Sequence, residues 1–77
     1  MKPFNIRAGG EYSGGTAGRR RLVRVVFQAD DPKVARVKYH DLGEGGSLGT
    51  LKYCSLGSFA NWAKRRVKHW ETIIDGV

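Results

Sequence analysis

The chain has one cysteine, two prolines and few acids among its 77 residues. A lone Cys54 excludes an internal disulfide framework and fits a reducing cytosol. Only His40 and His69 join it as soft ligands, and no pair has the spacing of a structural zinc site, so no metal or cofactor is expected. Long apolar runs are also missing. Stretches such as Val25-Val26-Phe27 fall far short of a membrane span, and Met1-Lys2-Pro3 leads into no signal-peptide run. These absences point to a cytoplasmic domain that does not enter a membrane.

Acidic residues are the scarcest charge: seven Asp and Glu face fourteen Lys and Arg, for a net charge of +7 and a pI near 10.1. Such a surplus on a small chain attracts polyanions before any specific contact forms. It also serves solubility, which is the plainer account. A chain of this length makes one small domain with a thin core, burying about 60% of the surface it exposes when unfolded.

The hydrophobic period changes along the chain. Residues 1–18 hold five glycines and only Phe4, Ile6 and Tyr12 to bury. They read as a flexible glycine-rich arm, with a short strand near Phe4–Arg7 or Glu11-Tyr12, mobile unless it pairs with a sheet. Residues 19–77 read as a single sheet-plus-helix domain. Alternation predicts strands over Arg21–Phe27, Val34–His40 and Thr50–Cys54. In that reading Val23, Val25, Phe27, Ala35, Val37, Tyr39, Leu51 and Tyr53 face inward. Arg24, Arg36, Lys38, His40 and Lys52 face away. Asp30-Asp31-Pro32-Lys33 reads as a turn. From Ser58 the spacing becomes helical, capped by Ser55 or Ser58. Phe59, Trp62, Ala63, Val67, Trp70, Ile73 and Ile74 share one helical face, with Lys64, Arg65 and Lys68 opposite and Gly76 a plausible stop.

Two groups of cations are candidate nucleic-acid contacts. Arg24, Arg36, Lys38 and Lys52 come from three neighbouring strands, and phosphate backbones need several cations so placed. Arg19, Arg20 and Arg21 follow the glycine arm and suit a basic arm reaching along a groove. The plainer accounts are a solvated sheet face and a charged lead-in to a strand. No exposed aromatic interleaves with these cations in this reading, which disfavours single strands; the basic side of the strands together with the arginine arm places duplex DNA slightly ahead of RNA. Arg66 falls inside the apolar arc of the helix; it could snorkel, stack on a tryptophan, or pair with Glu11 or Asp41. Gly14–Arg19 is no phosphate loop, because no strand precedes it and no Lys-Ser or Lys-Thr follows. Cys54, just before the helix, is most simply a small hydrophobe. His40 and Asp41 are adjacent on a strand and form no dyad. No catalytic residue is assigned, and a small-molecule substrate is not expected.

Gly10-Glu11-Tyr12, Arg21-Leu22-Val23, Val37-Lys38-Tyr39 and Ser55-Leu56-Gly57-Ser58-Phe59-Ala60-Asn61-Trp62-Ala63 together resemble small uncharacterised phage- and prophage-encoded bacterial proteins with SH3-like sheets. That resemblance, over residues 9–68, implies a mobile-element origin and a binding role without catalytic residues. More loosely the chain resembles the three-strands-plus-helix DNA-binding domains of some integrases and AP2-type factors. There the sheet enters the major groove, which would give that task to Arg24, Arg36, Lys38 and Lys52. The expected fold is therefore α+β: a small antiparallel sheet of three to five strands, open or curled as an SH3-like barrel, with one C-terminal helix packed on it. The expected function is a non-enzymatic nucleic-acid-binding accessory protein. The alternative is a protein–protein interaction module, for example a phage protein engaging a bacterial host protein through exposed Leu22, Val26 and Leu48.

Overall fold

The computed structural model describes residues 1–16 and 18–70. Five strands form one antiparallel sheet: β1 (Gly10–Gly14), β2 (Arg19–Phe27), β3 (Arg36–Leu42), β4 (Leu48–Ser55) and β5 (Ala63–His69). Their spatial order is β4-β3-β2-β1-β5, with β4 and β5 at the edges. A single helix, α1 (Leu56–Trp62), connects β4 to β5 and packs on the sheet. The fold is a small α+β domain, and among the described residues no helix is long and apolar enough to cross a membrane.

The three strands expected from alternation are present, and β2 and β4 run longer than their apolar cores. β3 starts two residues late, because Val34 and Ala35 donate their N–H groups to the Asp31 carbonyl in the turn. The Asp31 carboxylate accepts from the Lys33 N–H at 2.9 Å, the local bond that suits Asp to turns.

Two expectations need correction. The helix begins where its capping serine puts it, with Ser55 Oγ accepting from the Ser58 N–H at 3.1 Å. It stops at Trp62, however, and is not the last element. From Ala63 the chain pairs with β1, in the register Ser13 with Arg65, Tyr12 with Arg66, Glu11 with Lys68 and Gly10 with His69. Trp62, Ala63, Val67 and Trp70 do recur at helical spacing, but the backbone groups of β1 offer a tertiary ladder that overrides it. Ile73, Ile74 and Gly76 lie outside the described residues. The second correction is one of position: the short strand expected at Glu11-Tyr12 is present as residues 10–14, and it lies within the sheet and not in an arm apart from it. These residues form an interior strand between β2 and β5. Gly9 joins them, its N–H donating to the Val23 carbonyl and its carbonyl accepting from Trp70 N–H. Gly14 is required there, since a Cβ would collide with the Trp62 carbonyl.

The core lies between one sheet face, here the inner face, and α1. Tyr12, Val23, Val37 and Tyr39 from the sheet meet Leu56, Phe59 and Ala60 from the helix, with Ile6, Ala35 and Ala63 closing the margins. Phe59 is the centre: its ring contacts Tyr12 (centroids 5.7 Å), Tyr39 (5.4 Å) and Trp62 (5.4 Å), the first two edge-on. The Tyr12 hydroxyl donates to the Asn5 carbonyl and accepts from the Arg7 N–H, which fastens residues 5–7 under the sheet.

A bulge in β2 sets what the other face carries. Val23 pairs with Tyr39 and Val25 with Lys38, leaving Arg24 as the extra residue. An inserted residue reverses the alternation beyond it. Val23 and Val26 therefore point into the core, while Val25 and Phe27, expected inside, move to the outer face.

Candidate nucleic-acid interface

Register across β4, β3 and β2 arranges the outer face in rows. Leu51, His40 and Leu22 form one row, Tyr53, Lys38 and Val25 the next, and Ser55, Arg36 and Phe27 the third. Rows are about 7 Å apart along the strands and neighbours about 5 Å apart across them. Phe27 is 46% exposed, Tyr53 65% and Leu51 37%. Lys38 Nζ sits between two of these rings, 5.5 Å from the Phe27 centroid and 5.2 Å from that of Tyr53. Arg36 stands exposed beside Phe27.

Arg24, on the bulge, is held at the same face by His40. The His40 ring is buried and its Nδ1 lies 2.9 Å from the Gly49 carbonyl, a contact that requires Nδ1 to carry the proton. Nε2 is then an acceptor, and Arg24 Nη1 donates to it at 3.2 Å. Arg24, Arg36 and Lys38 thus share one surface, and none of them pairs with a carboxylate among the described residues.

The other sequence-derived candidates are placed differently. Lys52 is opposite Tyr39 in the β3–β4 register and so on the inner side of the sheet, not in the patch with Arg36 and Lys38. It is an edge-strand residue that stays exposed and donates from Nζ to Asp41 Oδ2 at 2.6 Å. Arg19, Arg20 and Arg21 open β2 as ladder residues, so alternation divides them. Arg20 points outward and bridges to Glu11 at 3.3 Å. Glu11 is only 2% exposed and also accepts from the Trp70 indole at 2.8 Å. Arg21 points inward, its guanidinium 4.1 Å from the Trp62 ring and 4.7 Å from that of Tyr39, with Nε donating to Asp41 Oδ1 at 3.2 Å. Arg19, across from Gly14, is exposed at the hairpin end. Stacking on tryptophan and pairing with Asp41, two of the accounts open to Arg66, thus belong to Arg21. Arg66 itself is an exposed β5 residue beside Tyr12, Asn5 and Arg7 at a shallow cavity of about 360 Å³.

Burial pushes the Asp41 carboxyl up, but Lys52 and Arg21 together outweigh it and hold the group below the ordinary carboxylate range. Both cations are therefore committed to a structural ion pair. Burial also pushes the Cys54 thiol up, with Arg21 and Arg36 offsetting only part of that. Cys54 packs against the core on the inner side, and His40 lies on the outer side, so the two cannot cooperate.

Phe27, Leu51 and Tyr53 are the surface residues that alternation assigns to the core. For Phe27 the cause is the bulge at Arg24. For Tyr53 the sequence holds a usable signal: Lys52 and Cys54 bracket it, and only Cys54 is small and apolar enough to mark the covered side of an edge strand. The alternative set fares otherwise: Leu22 is buried, Val26 packs on the core, and Leu48 alone is exposed. Comparison with protein-family models, curated proteins and solved structures finds no match to this chain.

Proposed function

We propose that this protein is a non-enzymatic nucleic-acid-binding accessory protein whose outer sheet face meets the phosphate backbone. One observation carries the reading: Arg24, Arg36 and Lys38 converge on one face of adjacent strands and pair with no carboxylate among the described residues, while Arg20, Arg21 and Lys52 are engaged by Glu11 and Asp41. Arginine forks and a lysine at such spacing suit phosphate oxygens, and the overall charge of +7 draws a polyanion to the surface. The non-enzymatic part draws on the placement of Cys54 and His40 on opposite faces and on the two partners that already occupy the His40 ring.

Fluorescence anisotropy against labelled oligonucleotides tests the reading. If about three phosphates are neutralised, affinity should fall roughly 20- to 40-fold between 50 and 200 mM salt. Replacing Arg36 and Lys38 together by Gln should weaken binding and flatten that dependence. Failure to bind DNA or RNA at 50 mM salt would reject it. A protein-interaction module is the second reading, favoured by the exposed Phe27, Leu51 and Tyr53 on the same face.

A further inference from the structure

Phe27 and Tyr53 are costly residues to leave in water, and nothing in the fold asks for them there. The core closes without either, and the same face already buries Leu22 and His40 without their help. Their geometry is specific, though. They flank Lys38 from the two neighbouring strands, one ring on each side of the ammonium. The two ring-to-ammonium distances bound the ring separation at about 11 Å, a span that accommodates two or three nucleotides of an extended strand.

We propose that the outer face selects unpaired DNA, with bases stacking on Phe27 and Tyr53 while Lys38, Arg36 and Arg24 meet the phosphates between them. This rests on the reading that the face binds nucleic acid at all, and it replaces the duplex partner expected from sequence. Three observations lead to it. A duplex hides its base faces within the stack, so two exposed rings have nothing to stack on, whereas a single strand offers a π-face at every nucleotide. Lys38 lies on β3, an interior strand flanked by β4 on one side and by β2, β1 and β5 on the other. To bring it to base edges, a major groove about 12 Å wide would have to admit a five-stranded sheet broadside, wider than the three-stranded sheets that enter such a groove. The third observation concerns the sugar. The side chains bordering the rings are Val25 and Leu51, His40 is occupied by Gly49 and Arg24, and the Ser55 hydroxyl is engaged with Ser58. Apart from the Tyr53 hydroxyl at the rim of a stacking ring, no free neutral hydrogen-bonding side chain in these rows can answer a 2′-hydroxyl, which favours DNA over RNA.

The test is anisotropy at 50 mM salt with fluorescein-labelled dT15, a mixed-sequence 15-base-pair duplex and rU15. Proteins compared are the wild type, Phe27→Ala, Tyr53→Ala, the double ring variant, Tyr53→Phe, and Arg36→Gln with Lys38→Gln. A thermal melt verifies that each is folded. Stacking contributes about 1–3 kcal/mol per base, so each ring lost should weaken dT15 binding by roughly 5- to 150-fold. The double ring variant should lose at least about 25-fold, Tyr53→Phe should retain wild-type affinity, and duplex binding should be weaker than dT15 binding and insensitive to the rings. The paired Gln variant should weaken every oligonucleotide. Ring variants that bind dT15 like the wild type, or a duplex bound as tightly as dT15, would overturn the stacking proposal while the paired Gln variant still upheld nucleic-acid binding. Tighter binding of rU15 than of dT15 would overturn the choice of DNA. No binding of any oligonucleotide would overturn both readings and leave the rings to a protein partner.

Discussion

Phe59→Ala and Tyr53→Ala form a matched pair, since each removes an aromatic ring that alternation or helical spacing assigns to the core. Phe59 is fully buried and touches three other rings. Truncating such a residue costs about 3–5 kcal/mol from lost transfer and the cavity left behind. A single-core domain of this size has roughly 3–5 kcal/mol to lose, so Phe59→Ala should be largely unfolded at 25 °C. Tyr53 is mostly exposed, and its ring meets the Lys38 ammonium 5.2 Å from the ring centroid. Losing an exposed cation–π contact costs about 0.5–1 kcal/mol, and a surface substitution otherwise stays within about 0.5. At about 4–8 °C per kcal/mol for a domain of this length, Tyr53→Ala should melt no more than roughly 12 °C below the wild type. Circular dichroism at 222 nm during heating, with urea titration beside it, reads both. Equal damage from the two substitutions would refute the assignment of Tyr53 to the outer face, and with it the β3–β4 register. A Phe59→Ala protein that melts like the wild type would refute the core.

Three further outcomes follow from the same geometry. Gly14→Ala should destabilise the domain by about 1–3 kcal/mol, because its Cβ meets the Trp62 carbonyl and ring, whereas Gly57→Ala, with only ordinary contacts near Pro32, should be neutral or better in a melt. Asp41 is held below the ordinary carboxylate pKa when folded, so its stabilising effect is complete above about pH 4 and disappears as pH falls through the lower folded value. Asp41→Asn should therefore be less stable than the wild type at pH 7, and urea titrations at decreasing pH should show the gap narrowing below about pH 4; a gap independent of pH would contradict the ion-pair assignment. The raised Cys54 thiol should react with a disulfide reagent at pH 7.5 more slowly in the native protein than in urea. Equal rates would place the thiol in open solvent.

Much of the fold was legible because it depends on patterns that tertiary contacts did not override. Two-residue alternation located β2, β3 and β4, and a serine before Phe59 located the start of α1. What escaped was decided by pairing at a distance. The sequence of residues 63–69 suits either period, and its apolar positions match a helix until β1 is known to lie beside it. β1 was legible only as a short strand at Glu11-Tyr12, one of two positions offered, and its interior place was missed because its glycines weaken any strand signal; Gly14 is needed where it meets the backbone of Trp62. The site was half legible. Arg36 and Lys38 were identified from β3, whose alternation is unbroken. Lys52 was misplaced together with its neighbours Leu51 and Tyr53, since two apolar residues on their side of the strand outweigh Cys54 on the other, and only pairing with β3 turns Cys54 inward. Phe27 was lost to the bulge at Arg24, for which the sequence carries no marker: an arginine between valines reads equally well as an outward strand position.

Nitrogen-15 correlation NMR with unlabelled dT10 tests the central claim most directly, because it reports which face is touched. Shifts should cluster at Val25–Phe27, Arg36–Lys38 and Leu51–Tyr53, the three segments that the register brings together on the outer face. Shifts confined to β5 or to the Asp31–Lys33 turn, or a spectrum unmoved by the oligonucleotide at 50 mM salt, would contradict the account.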